Sequence, residues 1–182
     1  MLEGKNVNLR VMEKEDMPLV TEWLSNPEFA GDYVPLRQES KSEMEKKFDD
    51  VTADKKWFII EKKDGSKVGL TGHFPTAQKL LEIGFALIPS ERGKGYCSEA
   101  VKIMVDYLFL SKDIVRIQAH TDLRNVASQK VLERVGFKKE GTIRKFSFIR
   151  GKWRDMLVYS ILREEWKEPK VLTTTASQSR RE

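Results

Sequence analysis

The feature that most constrains this chain is a strand, a glycine-containing loop and a helix that follow one another without interruption. Residues 80–88 are almost entirely apolar, which indicates a buried central strand. Within residues 100–109, apolar side chains recur at the spacing of one helix face. The loop between them, 89–97, contains two glycines and two cations, Arg92 and Lys94. This order of elements places a flexible basic loop directly at a helix N-terminus.

A loop of this kind has a chemical use. The first turn of a helix leaves backbone N–H groups unpaired, and the helix dipole makes that end positive. Glycines let a phosphate approach the bare backbone closely. Strand, loop and helix therefore predict a phosphate-binding site. The alternative interpretation is a basic surface turn that happens to precede a helix.

Two common phosphate-binding fingerprints do not fit the loop. The Walker loop needs Ser or Thr directly after Gly-Lys, whereas Gly95 follows Lys94 here. The dinucleotide fingerprint needs a third glycine, and Ser98 stands at that place. A kinase or a nucleotide-dependent oxidoreductase is therefore disfavoured.

Composition narrows the class of protein further. The chain has 182 residues, of which 40% are hydrophobic and 34% charged, as expected for a soluble globular protein with one sizeable core. No apolar run approaches the roughly 20 residues that span a bilayer, and residues 1–5 hold no apolar signal core. A single cysteine fits a reducing, cytoplasmic setting. With two histidines and one cysteine, no metal site is expected.

The charge balance leaves the partner open. A net charge of +5 arises from 33 basic and 28 acidic residues, which suits a polyanionic cofactor and also permits weak RNA association. Nucleic acid is disfavoured because the basic residues are matched by many acids and no nucleic-acid motif is present. A homodimer is compatible with the sequence, and a membrane partner is not expected.

Periodicity predicts one α+β domain over residues 1–166, followed by a polar, disordered tail over 167–182. We expect a mixed, mostly antiparallel, twisted sheet of about seven strands with about four helices. The predicted strands lie at 5–11, 57–60, 67–74, 80–88, 115–121, 137–148 and 153–162. The predicted helices begin at Asp16, at the Ser40–Glu43 capping box, at Ser98 and at Asn125.

Two motifs together carry a family resemblance. The run Arg92–Cys97 resembles the Arg/Gln-x-x-Gly-x-Gly/Ala loop of the GNAT superfamily of N-acetyltransferases, with Cys97 where that family prefers Gly or Ala. Asn125–Ser128 and residues 131–141 look like the Asn-x-x-Ser…Leu-x-x-x-Gly-Phe-x-x-Glu-Gly run of its ribosomal-protein acetyltransferase branch. The resemblance covers roughly residues 5–166 and implies a sheet that splits at the central strand.

The resemblance also implies a cosubstrate, acetyl-coenzyme A, and the residues that hold it. The backbone of Ala86, Leu87 and Ile88 would bond the pantetheine arm as an added strand does, and Asn125 would bond it as well. Ser128 would lie near the thioester sulfur. The residues expected to hold the pyrophosphate are Arg92, Gly93, Lys94, Gly95, Tyr96, Cys97 and Ser98. Without the resemblance, Asn125 could simply cap a helix, and Ser128 could be an ordinary first-turn residue.

The implied reaction is direct attack of a neutral amine on the acetyl thioester. Glu82, on the central strand beside apolar neighbours, is the first candidate for the general base. His120 is the second candidate because an imidazole titrates near neutrality. Ser128 is the candidate for assisting the leaving sulfur, since the helix carries no tyrosine for that role. Each of these side chains could instead have a purely structural role.

The acceptor is the least constrained part of the prediction. Trp23 and Tyr33 are expected to line its cleft, although core packing is the alternative for both. A protein N-terminal amine or a small amine would serve as acceptor. Two non-catalytic functions stay open at this point, namely an acyl-coenzyme A sensor and a basic ribosome- or RNA-associated module.

Overall fold

The computed structural model describes residues 1–35, 40, 42–44, 46, 52, 54–76 and 80–172. Its centre is one open sheet of eight strands in the order β1-β2-β3-β4-β5-β6-β8-β7. All neighbouring strands are antiparallel except β5 and β6, which are parallel. The strands are β1 Leu2–Glu3, β2 Val7–Val11, β3 Lys56–Lys62, β4 Lys67–Pro75, β5 Leu81–Leu87, β6 Arg116–Asp122, β7 Lys138–Ile149 and β8 Lys152–Leu162. The predicted mixed α+β architecture is confirmed.

Among the described residues, the three longer helices begin within two residues of the predicted starts, and one short helix is additional. They are α1 Met17–Ser25, α2 Pro27–Ala30, α3 Tyr96–Ser111 and α4 Val126–Val135. The additional helix is α2, which is followed by a 3₁₀ turn at Gly31–Tyr33. The Ser40–Glu43 capping box is present, with the Ser40 N–H donating to Glu43 Oε2 at 2.7 Å. Most of the helix predicted behind it lies outside the described residues.

A hydrophobic cluster packs against each face of the sheet. On one side, which we call the α3 face, Leu81, Ile83 and Leu87 pack with α3. On the other side, the α1 face, Ala86 and Ile88 pack against a cluster that includes Trp23 of α1. Since successive side chains of a strand alternate between faces, the clusters also fix where the polar residues of the central strands point.

A buried carboxylate joins α1 to the sheet. Asp16, 1% exposed, stands at the predicted N-cap of α1 but makes no side-chain cap bond there. Instead its carboxylate accepts hydrogen bonds from both terminal nitrogens of Arg10 at 2.8 and 2.9 Å, from Lys67 Nζ at 2.7 Å and from the Glu13 N–H at 2.9 Å. Burial alone would raise the pKa of Asp16, but these hydrogen bonds outweigh it and hold the pKa well below its usual range.

The chain after β8 returns across α3. Asp106, fully buried on α3, accepts the indole N–H of Trp166 at 2.8 Å and the backbone N–H groups of Lys170, Val171 and Leu172 at 2.7–3.1 Å. The described chain is therefore bonded to α3 as far as Leu172, within the segment that the sequence analysis assigns to the tail. Residues 173–182 of the predicted tail lie outside the described part of the chain.

Candidate active site

The sheet opens between its two parallel strands. β5 and β6 pair only at Leu81–Ile117 and Glu82–Gln118. Beyond these positions β5 continues along β4, whereas β6 continues along β8. The two strands therefore diverge toward their carboxyl ends, and the split predicted at the central strand is confirmed.

The backbone of β5 presents alternate residues to this opening. The Ile88 N–H donates to the Val68 carbonyl at 2.9 Å, so the alternation of an antiparallel pair directs Ala86 and Ile88 toward β4. The same alternation directs the backbone groups of Phe85 and Leu87 toward the opening. Of the three residues predicted to bond the pantetheine arm, only Leu87 is placed to do so. Phe85, which the sequence analysis does not name, faces the opening in the same way, and the β4–β5 register is what determines this.

The glycine loop leads into α3 with two left-handed residues. Gly93 and Gly95 have φ angles of 79° and 88°, in a region that residues other than glycine rarely adopt. A Cβ atom added at either glycine would meet no heavy atom within 4 Å. Gly95 is the N-cap of α3, so the unpaired N–H groups of the first helical turn follow it directly. Open space and backbone donors together fit a bound phosphate.

The two cations of the loop both have protein partners in the structure. Arg92 donates Nε to the Leu87 carbonyl at 3.0 Å and a terminal nitrogen to the Phe29 and Glu28 carbonyls at 2.9 and 3.1 Å. It therefore joins the end of β5 to α2 through Nε and one terminal nitrogen. Lys94 is half-exposed and forms an ion pair with Glu91 at 3.1 Å, a surface contact that a phosphate could replace.

The remaining loop residues form the first turn of α3. Tyr96 and Cys97 are partly buried against the hydrophobic cluster of the α3 face. Burial raises the pKa of the Cys97 thiol to about 12, so Cys97 is a neutral, small packing residue in the place where the family prefers Gly or Ala. Ser98 lines a cavity of about 660 Å³ together with Gly95 and Lys102. That cavity is bounded by the β1–β2 turn and the Lys170 segment, and no residue of β5 or β6 lines it.

The start of α4 combines a structural and a candidate binding role. Asn125 caps the helix, its Oδ1 accepting the Ser128 N–H at 3.1 Å. Asn125 therefore has the helix-capping role that was the alternative to ligand binding. Of its side-chain amide, the NH₂ group is left to bond a ligand. Ser128 is half-buried in the first turn of α4, directly after the strand β6 that borders the opening.

The three polar side chains at the opening lie on the α1 face. Glu82 occupies the last residue of β5 that pairs with β6, and its Oε2 lies 3.0 Å from His120 Nδ1 and 3.5 Å from Gln118 Nε2. The side chain of Glu82 is 31% exposed and that of His120 11%. The ring of Phe146 stacks on His120 with centroids 4.9 Å apart and an angle of 13°. By distance, both base candidates thus form one carboxylate–imidazole pair, although His120 Nδ1 makes no hydrogen bond among the described residues.

The other histidine is excluded from this pair by its position. His73 is fully buried, pairs with Ile83 of β5 and lies beside Tyr107 of α3. Its Nδ1 lies 3.0 Å from the Asp54 carbonyl. Burial lowers the pKa of His73 to about 4, so it is a neutral packing residue on the α3 face.

The two predicted acceptor-binding residues have different environments. Trp23 is 9% exposed and stacks on Phe29 with centroids 5.5 Å apart, so it is a core residue with little surface for a ligand. Tyr33 is partly exposed, and the guanidinium of Arg124 lies 5.4 Å from its ring centroid. The Gly31–Tyr33 turn is also bonded by Arg150, which donates to the Gly31 carbonyl at 3.1 Å. Tyr33 therefore stands between α2, the β6–α4 loop and the β7–β8 hairpin.

Among the described residues, no helix is long and apolar enough to cross a membrane. The same part of the chain holds no group of three or more His, Cys, Asp or Glu side chains placed to bind a metal ion.

Comparison with known proteins assigns the family. The model of the Acetyltransferase (GNAT) domain matches residues 6–138. An uncharacterized N-acetyltransferase p20 from Bacillus licheniformis is 30% identical over 173 residues, which cover 91% of this chain and 97% of that protein. The chain therefore belongs to the GNAT family of N-acetyltransferases, as its loop and helix motifs predict.

A second relative and a solved structure extend the comparison. A putative ribosomal N-acetyltransferase, YdaF from Bacillus subtilis, is 29% identical over 109 residues, covering 59% of this chain and 60% of that protein. The crystal structure of spermidine N-acetyltransferase from Vibrio cholerae in complex with CoA and spermine superposes with a TM-score of 0.81. It covers 90% of this chain and 99% of that one at 21% identity, so this likeness concerns the fold.

Proposed function

We propose that this protein transfers the acetyl group of acetyl-coenzyme A to a primary amine by direct attack of the amine. The observation that carries the proposal is the position of the Glu82–His120 pair. It stands where β5 and β6 stop pairing, on the face opposite α3. A cosubstrate bound from the α3 side and an amine bound from the α1 side would meet at that opening.

The chain supplies a fitting set of contacts for the cosubstrate. Acetyl-coenzyme A, when bound, supplies the activated thioester. The backbone of Phe85 and Leu87 would bond the pantetheine arm in the manner of an added strand. The first-turn N–H groups behind Gly95, with Gly93 and Lys94, would hold the pyrophosphate. The NH₂ group of Asn125 would bond the pantetheine arm from the other side of the opening.

The pair at the opening supplies the proton chemistry. A free alkylammonium has a pKa of about 10, so the acceptor must lose a proton before it can attack. Glu82 is the proposed acceptor of that proton, which neutralises the carboxylate, and His120, whose Nδ1 lies 3.0 Å from Glu82 Oε2, can take the proton on. Ser128 is proposed to donate a hydrogen bond to the departing sulfur. Backbone N–H groups of β5 that face the opening would stabilise the oxyanion.

Two acceptor classes stay compatible with this site. One relative is named as a ribosomal N-acetyltransferase and one structural neighbour as a spermidine N-acetyltransferase. A protein N-terminal amine and a small amine are accordingly both proposed as acceptors. Glu82 can receive a proton from either.

Calorimetric titration with acetyl-coenzyme A tests the proposal first, with desulfo-coenzyme A and ATP as controls. We expect both coenzyme forms to bind and ATP not to bind, because the pantetheine arm contributes contacts that ATP lacks. A thiol-release screen with spermidine, other small amines and short peptides bearing free N-termini would then identify the acceptor class. Failure of both coenzyme forms to bind would overturn the proposal. If acetyl-coenzyme A binds but no amine in the screen causes release of the free thiol, the result would favour an acyl-coenzyme A sensor.

A further inference from the structure

The edge strand β7 contains an irregularity close to the proposed active site. Ile143 pairs with Met156 and Ser147 with Arg154, so residues 144–146 on β7 oppose the single residue Asp155 on β8. Bulges of this kind bend a strand and redirect its side chains, and they occur often beside active sites. The position of this bulge determines where the side chain of Phe146 points.

The bulge is held in a strained conformation by one side chain. Lys145 has a φ angle of 48°, a left-handed conformation that is unfavourable for a residue with a side chain. Its N–H donates to Asp155 Oδ1 at 2.8 Å. A strained backbone persists when its surroundings stabilise it, and this hydrogen bond is such a stabilising contact.

The residue after the strained position is Phe146, whose ring stacks on His120 at 4.9 Å. The ring is still 45% exposed, although His120 covers one of its faces. Phe148, two residues further along β7, pairs instead with Trp153 at 5.7 Å in an edge-on geometry and is 54% exposed. Two similar exposed aromatic residues on one strand therefore differ in whether they reach the Glu82–His120 pair.

Resting on the acetyltransferase function proposed above, we propose that Phe146 determines acceptor specificity and that Asp155 is a positioning residue that acts through it. The exposed face of Phe146 would contact the carbon skeleton next to the reacting amine, because the ring borders the imidazole that touches Glu82. Asp155 would fix that ring by holding the Lys145 N–H. The acceptor class that this surface fits is an amine carried on an apolar carbon chain or an apolar N-terminal residue.

The positioning role has a readout that does not depend on activity. A ring stacked face to face shields the carbon-bound protons of the imidazole, and the chain contains only two histidines, His73 and His120. In nuclear magnetic resonance spectra, we expect Asp155→Ala and Phe146→Leu to move the His120 ring protons downfield and to leave those of His73 unchanged. Asp155→Asn, which keeps an acceptor oxygen, should restore most of the parent shift. Unmoved His120 resonances in folded Asp155→Ala would overturn the positioning role.

The specificity role is tested by kinetics with two probe acceptors, spermidine and a short peptide with N-terminal leucine. For the acceptor that the parent uses better, Phe146→Ala should raise KM about tenfold, equivalent to losing about 1.4 kcal/mol of contact. Its affinity for acetyl-coenzyme A should stay unchanged. Phe148→Ala is the matched control and should alter neither quantity. Equal effects of the two variants, or turnover of neither probe by a parent that binds acetyl-coenzyme A, would overturn the specificity role. A parent that fails to bind acetyl-coenzyme A would instead refute the acetyltransferase proposal.

Discussion

The two halves of the proposed active site are built in different ways. The cosubstrate half consists of β5, the glycine loop and α3, which are contiguous in the chain. The acceptor half joins the Gly31–Tyr33 turn to the β7–β8 hairpin, for example through the hydrogen bond from Arg150 to the Gly31 carbonyl. A contiguous segment leaves a readable pattern in the sequence, whereas a cleft made from distant segments does not. The family was therefore predictable from the sequence, whereas the acceptor was not.

Gly95→Glu tests the cosubstrate half and should have the largest effect. The new carboxylate would enter the open space at the α3 N-terminus and repel the phosphates, and we expect affinity for acetyl-coenzyme A to fall by about 100-fold or more. Gly65→Glu is a matched control, because Gly65 has a φ angle of 83° and equally open surroundings. Calorimetry on both folded variants decides the question. Parent-like affinity in Gly95→Glu would refute the phosphate site.

Glu82→Gln tests the meeting point of the two halves. Removal of the proton acceptor should lower kcat by about 100-fold at neutral pH and change the pH–rate profile, with little loss of affinity for acetyl-coenzyme A. Glu140→Gln is the control, since that carboxylate is bonded by Ser160 of β8 and has no proposed catalytic role. If Glu82→Gln keeps the parent profile, Glu82 is not the base, and the same measurement should be made on His120→Asn.

Asp16→Asn tests how α1, which precedes the acceptor half in the chain, is held on the sheet. The substitution leaves the Arg10 guanidinium without its buried partner, and we expect the free energy of unfolding to fall by about 3 kcal/mol. Because the pKa of Asp16 is lowered in the folded state, its contribution is present above the usual carboxyl pKa and is lost as the pH falls below about 4. Asp54→Asn removes an exposed ion pair with Lys112 and should cost less than about 1 kcal/mol. Equal losses in urea denaturation would contradict this difference.

The pH dependence of stability tests the packing under α3. The pKa of His73 is lowered to about 4, whereas an unfolded histidine titrates near pH 6.5. The unfolded chain therefore binds more protons between these values, and the protein should lose about 2 kcal/mol of stability between pH 8 and pH 5. His73→Asn, which keeps a donor toward the Asp54 carbonyl, should flatten this dependence. A parent-like slope in His73→Asn would assign the acid sensitivity to other groups.

Two expected site residues have other partners in the structure. Arg92 was expected to bind phosphate, and its Nε and one terminal nitrogen donate to three backbone carbonyls of β5 and α2. Trp23 was expected at the cleft, but it packs on Phe29 in the core. In both residues the side chain can serve either role, and only the neighbours that folding brings together select one.

By itself the sequence determined most of the elements, the glycine loop and the family, because each depends on the order and spacing of nearby residues, and the family resemblance in turn implied the split sheet. Only the tertiary structure decided that Glu82 and His120 form a pair, that Phe85 and Leu87 face the opening, and that Phe146 covers the imidazole. These outcomes depend on strand register and on a β7 bulge held by Asp155. Register arises from contacts between distant segments, and a shift of one residue would turn every side chain of a strand to the opposite face.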